Sequence, residues 1–368
     1  MQEKAITSLE AGQRFDKYLR RILPEANSSF LYKMLRKKNI TLNGQKAEGK
    51  ELLAAGDVVK VFFSDETYVK MGGVLQEACV TIAGSTSESG RMQEAKRTYQ
   101  KLESSYPGLQ ILYENEHMAA VYKPAGVLSQ KARPEDVSLN EWFLGLLLER
   151  GEVTEQSLRM FTPSVQNRLD RNTEGIVLLA KTLPGSHLLT RLQREHKIRK
   201  YYHMIVAGRV EKAGVIEGYL SRDAEGNTVR IFPKEEKNTV YTRTEYRPLR
   251  IAKLQEGPKA AFEKDAKGKS GDHGRTGRNS VTCIEAQLIT GKTHQLRAHF
   301  ASIGHPILGD PKYGDPEINR QVRGQGIRTQ LLLCQRVEFP EHCEGLEDLN
   351  GRVIACEEPK VYRKVMGG

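Results

Sequence analysis

The segment from Asn167 to Lys181, NRLDRNTEGIVLLAK, constrains this chain more than any other. It places a carboxylate, Asp170, between Arg168 and Arg171, then turns through Asn172, Thr173 and Gly175 into the apolar run IVLLA. A run this short and this uniformly apolar predicts a strand covered on both faces. An acid in the turn that feeds such a strand has a fixed position, and loops held by a rigid scaffold are where catalytic groups tend to sit. An aspartate that only caps a turn and pairs with its neighbouring arginines would have the same local sequence. The rest of the chain has to decide between the two.

A chain of 368 residues suggests two or three domains. With 57 Lys and Arg against 46 Asp and Glu, its net charge of +11 points toward a polyanionic partner. The five cysteines (Cys79, Cys283, Cys334, Cys343, Cys356) are scattered and odd in number, which fits reduced thiols in cytosol better than a disulfide framework. The opening MQEKAITSLE lacks the apolar centre of a signal peptide, and no run reaches the roughly 18 apolar residues of a membrane span. The expectation is a soluble, cytoplasmic, monomeric protein with no membrane partner.

From 12 to 63 the pattern predicts a small unit of two helices and a hairpin. RFDKYLRRIL repeats its apolar residues at helical spacing until Pro24 stops it. Asn27, Ser28 and Ser29 offer capping side chains to a second helix, FLYKMLRKK. Asn43-Gly44 is a hairpin signal, and GDVVKVFF supplies an alternating strand. Between Arg14 and Lys46 there are nine basic residues against two acidic ones. A solvated helix face could look like this, but so dense a patch suits phosphate backbones through counterion release. Arg14, Lys17, Lys33, Arg36, Lys37 and Lys38 are the candidate RNA contacts.

Residues 64–106 are rich in Gly, Ser, Glu, Lys and Gln and lose hydrophobic periodicity, which predicts a flexible linker. A second domain is expected over 107–368. In it QILYENEHMAAVYKPAG reads as two strands around a turn, SLNEWFLGLLLER as a helix with Trp142 in the core, PGSHLLTRLQREHKI as an amphipathic helix, and KYYHMIVAGRV as a strand. Along that strand Tyr201 and Tyr202 point to opposite faces, with Tyr201 the expected core residue. Residues 254–279 cannot bury enough apolar surface to order themselves and read as a disordered insertion. SVTCIEAQLITG and TQLLLCQRVEF resume strand character, and Thr293 can cap a helix between them that carries Leu296, Phe300 and Ile303. His294 and His299 stand five apart, which does not give two ligands one helix face, so no metal site is expected.

Three motifs stand in order in this region: NRLDRNTEG, KYYHMIVAG and TGKTHQLRAH. YKPAG precedes them and GHPILGDPKYG follows. On these the domain resembles the RluA/RluD-type pseudouridine synthase family. The 12–63 unit resembles the small RNA-binding domain named after ribosomal protein S-four, on RFD, NSSFLYKML and ITLNGQ. The family resemblance implies an α+β fold: a mixed, largely antiparallel β-sheet catalytic domain with flanking helices, joined to a small N-terminal α/β RNA-binding domain.

It also implies isomerisation of uridine to pseudouridine in RNA, most naturally large-subunit ribosomal RNA, on a flipped-out nucleotide and without cofactor or metal. In that reading Asp170 is the nucleophile, attacking either the sugar or the base. Arg297 forms a bidentate pair with it. Tyr202 stacks on the extruded base with its hydroxyl near carbon 5, and Arg168 and Lys292 contact phosphate or support the loop. Asn167, Glu174 and Lys292 depart from the family's commoner His, Ser and Arg. Two other classes compete. A glycosidase would need a second carboxyl at a set distance, with only Glu174 nearby in sequence, and a catalytically silent RNA-binding or ribosome-assembly factor would not need Asp170.

Overall fold

The computed structural model of the chain describes residues 1–7, 10–73, 90–223, 228–254 and 280–367. Of the predicted insertion only Leu254, which is buried, falls among them. Two compact units divide the chain, one of residues 1–120, 129–168 and 177–191, the other of 121–128, 169–176 and 192–368. They do not follow the expected division at 63 and 107, because strands and helices on both sides of the supposed linker pack into the first unit.

In the first unit, β1 (Gln2–Ala5), β2 (Ile40–Leu42), β3 (Gln45–Lys46) and β4 (Val58–Val61) form an antiparallel sheet in the order β1-β4-β2-β3. Asn43 and Gly44 both take positive φ, 51° and 73°, between β2 and β3, as the tight hairpin requires. The helix Phe15–Ile22 and the helix Ser28–Arg36 bury Phe15, Tyr18, Leu19, Leu31 and Leu35 against Ile40, Val59 and Val61. The Asn27 side chain caps the second helix by accepting from the Phe30 N–H.

The expected linker is a correction. It carries the helix Asp65–Lys70, capped by Ser64, and the helix Gly90–Ser105; residues 74–89 lie outside the described residues. The longer helix has a narrow apolar face of Ala95, Thr98 and Leu102, all buried, too small and too mixed in polarity to show as a hydrophobic period. It packs on the helix Leu139–Glu149 so closely that a Cβ on Gly145 would stand 2.3 Å from the Ala95 carbonyl oxygen. Trp142 is buried there and donates to Glu103 at 3.0 Å. The unit also contains β5 (Gln110–Glu114), β7 (Ser164–Val165), the first residues of β6 (Met118–Lys123) and the last of β8 (Glu174–Ala180). Asn167 is structural: its side-chain oxygen accepts from the Leu178 N–H at 2.7 Å.

The second unit is a sheet of β9 (Arg199–Ala207), β10 (Gly214–Asp223), β11 (Thr228–Phe232), β12 (Val240–Lys253), β13 (Ser280–Leu288) and β14 (Leu332–Glu338), edged by β15 (Val353–Ala355). The order β11-β10-β12-β13-β9-β14-β8 is antiparallel throughout except for β14 beside β8. The fold is therefore α+β with a mixed, largely antiparallel sheet. The helix Gln295–Ser302 covers the β10–β12 end of one face. The helix Lys360–Val365 covers part of the other, where the Tyr362 hydroxyl donates to the His203 carbonyl at 3.4 Å. Tyr201, the expected core residue, is only half-buried, beneath the Arg336 guanidinium 4.1 Å from its ring centre, whereas Tyr202 is buried. No helix among the described residues is long and apolar enough to cross a membrane.

Candidate active site

The turn that carries Asp170 is held from below by a lysine. Lys123, at the end of β6, has no exposed surface. Its Nζ donates to the carbonyls of Val127 at 2.8 Å and of Pro124 and Arg171 at 3.0 Å. Three acceptors match the three N–H donors of an ammonium. The bonds tie YKPAG to NRLDRNTEG, and the Gly126 N–H adds a further bond to the Arg171 carbonyl at 2.9 Å. Burial pulls Lys123 down to about 7, while Glu174 and Asp170 act in the opposite direction. After the turn, Gly175 takes φ 109°, and a Cβ there would lie 2.2 Å from the Cys334 carbonyl oxygen. Only glycine lets β8 approach β14 so closely.

Arg297 reaches Asp170 from the helix Gln295–Ser302. Its Nη1 donates to Asp170 Oδ2 at 3.0 Å, a single bond. The bidentate pair expected with Asp170 is made instead with Asp310, through Nε at 2.6 Å and Nη2 at 2.8 Å. Asp310 has no exposed surface and also accepts from the backbone N–H groups of Lys312 and Tyr313. Burial alone would push the Asp310 carboxyl up, but Arg297 and these backbone donors outweigh it and hold it below the usual carboxylate range. The arginine is buried as well, and its two carboxylates raise its pKa against the opposing effect of burial. A guanidinium clamped on one edge offers its free corner in one direction. That corner meets Asp170, whose side chain remains 28 % exposed, so the carboxylate is both aimed and reachable.

Tyr202 is in register with Cys334 on β14 and Ala286 on β13. Burial first, then the charge of and hydrogen bond to the neighbouring Cys334 thiol, and last the charge of Asp170, raise its pKa well above the ordinary phenol value. It is a neutral phenol at pH 7. That suits a packing surface and hydrogen-bond donor better than an independent base.

His294 precedes the arginine helix with left-handed φ 55° and makes no side-chain cap. The expected cap, Thr293, is exposed, and the helix has no side-chain cap; the Gln295 side chain instead ties down the preceding loop by accepting from the Lys292 N–H at 3.1 Å. His294 Nδ1 stands 3.0 Å from the Tyr313 hydroxyl and Nε2 3.6 Å from Asp170 Oδ2. Burial and the neighbouring Arg297 and Lys312 lower its pKa, against the pull of Asp170 and Asp310. His299 is different: each ring nitrogen is engaged by a threonine, Thr242 or Thr244, and burial holds it down to about 4.

Asp170, Tyr202 and Arg297 thus share one unit, with Lys292 exposed in the loop before the arginine helix. Arg168 belongs to the other unit and is exposed, as are Lys17, Lys33, Arg36, Lys37 and Lys38. Arg14 is bound to Asp16 by two 3.1 Å bonds, which leaves it less free for phosphate. Sequence reasoning missed Lys123, Asp310, Tyr313 and His294. All four lie inside motifs already singled out, YKPAG, GHPILGDPKYG and TGKTHQLRAH, and the missing signal was which of these charged and polar residues are buried.

The model of the RNA pseudouridylate synthase family matches residues 117–302, half of the chain. The chain belongs to that family. Ribosomal large subunit pseudouridine synthase C of Vibrio cholerae is 27% identical over 335 residues, 89% of this chain and 85% of the relative. Ribosomal large subunit pseudouridine synthase D of Nitrosomonas europaea is 26% identical over 304 residues, 83% of this chain and 70% of the relative. Among solved structures, human RNA Pseudouridylate Synthase Domain Containing 4 shares the fold, with a TM-score of 0.50 at 18% identity over 75% of this chain and 96% of that one. The chain is an RNA pseudouridine synthase, an isomerase that converts uridine to pseudouridine within RNA.

Proposed function

We propose that the RNA this synthase modifies is large-subunit ribosomal RNA, and that it acts as a cytoplasmic monomer with Asp170 as nucleophile. The names of its relatives carry the substrate. The observation that carries the nucleophile is the aim of Asp170: one oxygen held at 3.0 Å by an arginine that Asp310 clamps on its far edge, with the carboxylate still open to a ligand. Pseudouridine formation detaches the base at nitrogen 1 and rejoins it at carbon 5, so no electrons are gained or lost. A carboxylate can hold the sugar or the base covalently while the base turns. Arg297 keeps that carboxylate directed through its 3.0 Å bond to Oδ2. Tyr202 supplies a rigid wall for the flipped base. The residues of 12–63 supply affinity: exposed Lys17, Lys33, Arg36, Lys37 and Lys38 meet phosphates, with Arg168 and Lys292 adding contacts from the catalytic region. Comparing pseudouridine in ribosomal RNA from cells with and without the protein tests the substrate. Specific positions in large-subunit RNA should revert to uridine; an unchanged large-subunit RNA with altered transfer RNA would overturn the assignment.

A further inference from the structure

His294 sits in a backbone conformation that an L-residue other than Asn, Asp or His seldom takes. Such strain persists where the surroundings over-determine it, and here they do. The Gln295 side chain accepts from Thr290 Oγ1 and the Lys292 N–H and donates to the Arg243 carbonyl and Thr244 Oγ1, all at 3.0–3.1 Å. The loop is pinned so that the imidazole faces Asp170.

The protons on that ring follow from its neighbours. The Tyr313 oxygen accepts from the Val229 N–H at 2.8 Å, so its own O–H is free to be donated to His294 Nδ1 at 3.0 Å. The opposite tautomer would turn the Nε2 lone pair onto a carboxylate oxygen. Both arguments put the proton on Nε2, pointing at Asp170 Oδ2. At 3.6 Å the approach is longer than a formed hydrogen bond, and such distances in free enzymes often close only in the complex. Arg297 Nη1 and His294 Nε2 then converge on the same oxygen, Oδ2.

We infer that His294 is a positioning residue for Asp170, set by Tyr313 to donate from Nε2, and that with Arg297 it occupies Oδ2 and reserves Oδ1 as the oxygen that attacks. This rests on Asp170 being the nucleophile. Without the imidazole the carboxylate is held by the single Arg297 bond and can twist about its last bond away from the attacking orientation. A misplacement of this kind can lower a rate on the order of a hundredfold without touching RNA affinity.

The test uses the full-length protein and RNA from cells that lack it, grown on 5-tritiated uridine, because the carbon-5 hydrogen is released when the base reattaches. Single-turnover tritium release and RNA affinity are measured for wild type, Asp170→Asn, His294→Phe, His294→Gln and Tyr313→Phe, each checked for folding by circular dichroism. Gln reproduces a donor near Nε2, Phe reproduces only the ring, and Tyr313→Phe keeps the ring over Arg297 (5.1 Å) while deleting the hydroxyl. The expected result is a fall of roughly tenfold to a hundredfold for His294→Phe with affinity within about twofold of wild type, most of it recovered by Gln, and a smaller fall for Tyr313→Phe. A His294→Phe rate within about twofold of wild type, or a Gln variant no faster than Phe, would overturn the inference. So would affinity falling in step with rate. Failure here leaves the nucleophile standing if Asp170→Asn is silent while wild type releases tritium.

Discussion

The cluster around Asp170 and the basic surface of the N-terminal helices use charge in opposite ways. Around Asp170 the buried charges are each partnered: Arg297 by two carboxylates, Asp310 by a guanidinium and two backbone donors, Lys123 by three carbonyls. On the helix Ser28–Arg36 and the turn after it, Lys33, Arg36, Lys37 and Lys38 stand exposed. A buried, fully partnered charge has one position, which chemistry needs, and removing its partner is expensive. An exposed lysine has many positions, which a phosphate backbone tolerates, and its removal is one increment among several.

Substitutions that orphan a buried charge should therefore do the most damage. Asp310→Asn leaves the Arg297 guanidinium buried beside one remaining carboxylate. We expect a loss of roughly 3 kcal/mol in stability, read as a lower denaturant midpoint, together with a drop on the order of a hundredfold in tritium release. A variant as stable and as fast as wild type would show that Asp170 alone suffices to hold Arg297.

Lys123→Met should come next, since it strips the Val127 and Pro124 carbonyls of the lysine donor and leaves the Arg171 carbonyl with the Gly126 N–H alone. A cost of roughly 2–3 kcal/mol is expected, with the loop of Asp170 loosened and turnover reduced. The pH dependence has a definite sign. The folded-state value is depressed from 10.5 to about 7, so between those two values the unfolded chain binds the extra proton and raising the pH favours the folded state. From pH 7 to 9 the stability of wild type relative to Lys123→Met should rise by on the order of 1–2 kcal/mol. A flat difference across that window would contradict the buried, depressed lysine.

On the other side of the comparison, replacing Lys33, Arg36, Lys37 and Lys38 by alanine should leave the melting curve nearly intact and act on RNA binding. For every phosphate that one of these side chains neutralises, its removal should reduce the slope of log affinity against log salt by about 0.7–0.9. Arg14→Ala should change that slope least of the basic residues, because Asp16 already holds its guanidinium by two 3.1 Å bonds. An unchanged slope in the fourfold variant would remove the N-terminal helices from the RNA surface. The smallest effect is expected at Glu174, where the carboxylate accepts from the Tyr122 hydroxyl at 2.5 Å. Glu174→Ser should shift stability by about 1 kcal/mol and turnover by less than about threefold.

This division also marks what the sequence made legible. The IVLLA strand, the N-terminal helices and the Asn43-Gly44 hairpin announce themselves through periodicity and turn chemistry, and the acid Asp170 and arginine Arg297 through the family resemblance that their motifs carry. What stayed hidden was partnership. Nothing in GHPILGD says that its aspartate, thirteen residues beyond Arg297, takes the Nε–Nη2 edge of that guanidinium. Nothing in KYYHM says which tyrosine is covered, because that depends on Cys334 and Ala286 of strands far away in sequence. The helix Gly90–Ser105 escaped because a face of Ala95, Thr98 and Leu102 suffices when Gly145 opposite it lets the backbones touch.

The central claim is that the carboxylate of Asp170 performs the chemistry and contributes nothing favourable to holding the RNA. Asp170→Asn keeps the size and most of the hydrogen bonding of the side chain while removing its charge. Single-turnover tritium release from 5-tritiated RNA, measured beside RNA affinity on the folded variant, separates the two roles. The account predicts binding at least as tight as wild type, since a negative charge beside phosphates is gone, and no detectable conversion. Conversion by the folded variant within about tenfold of wild type, only roughly 1.4 kcal/mol in the barrier, would contradict it.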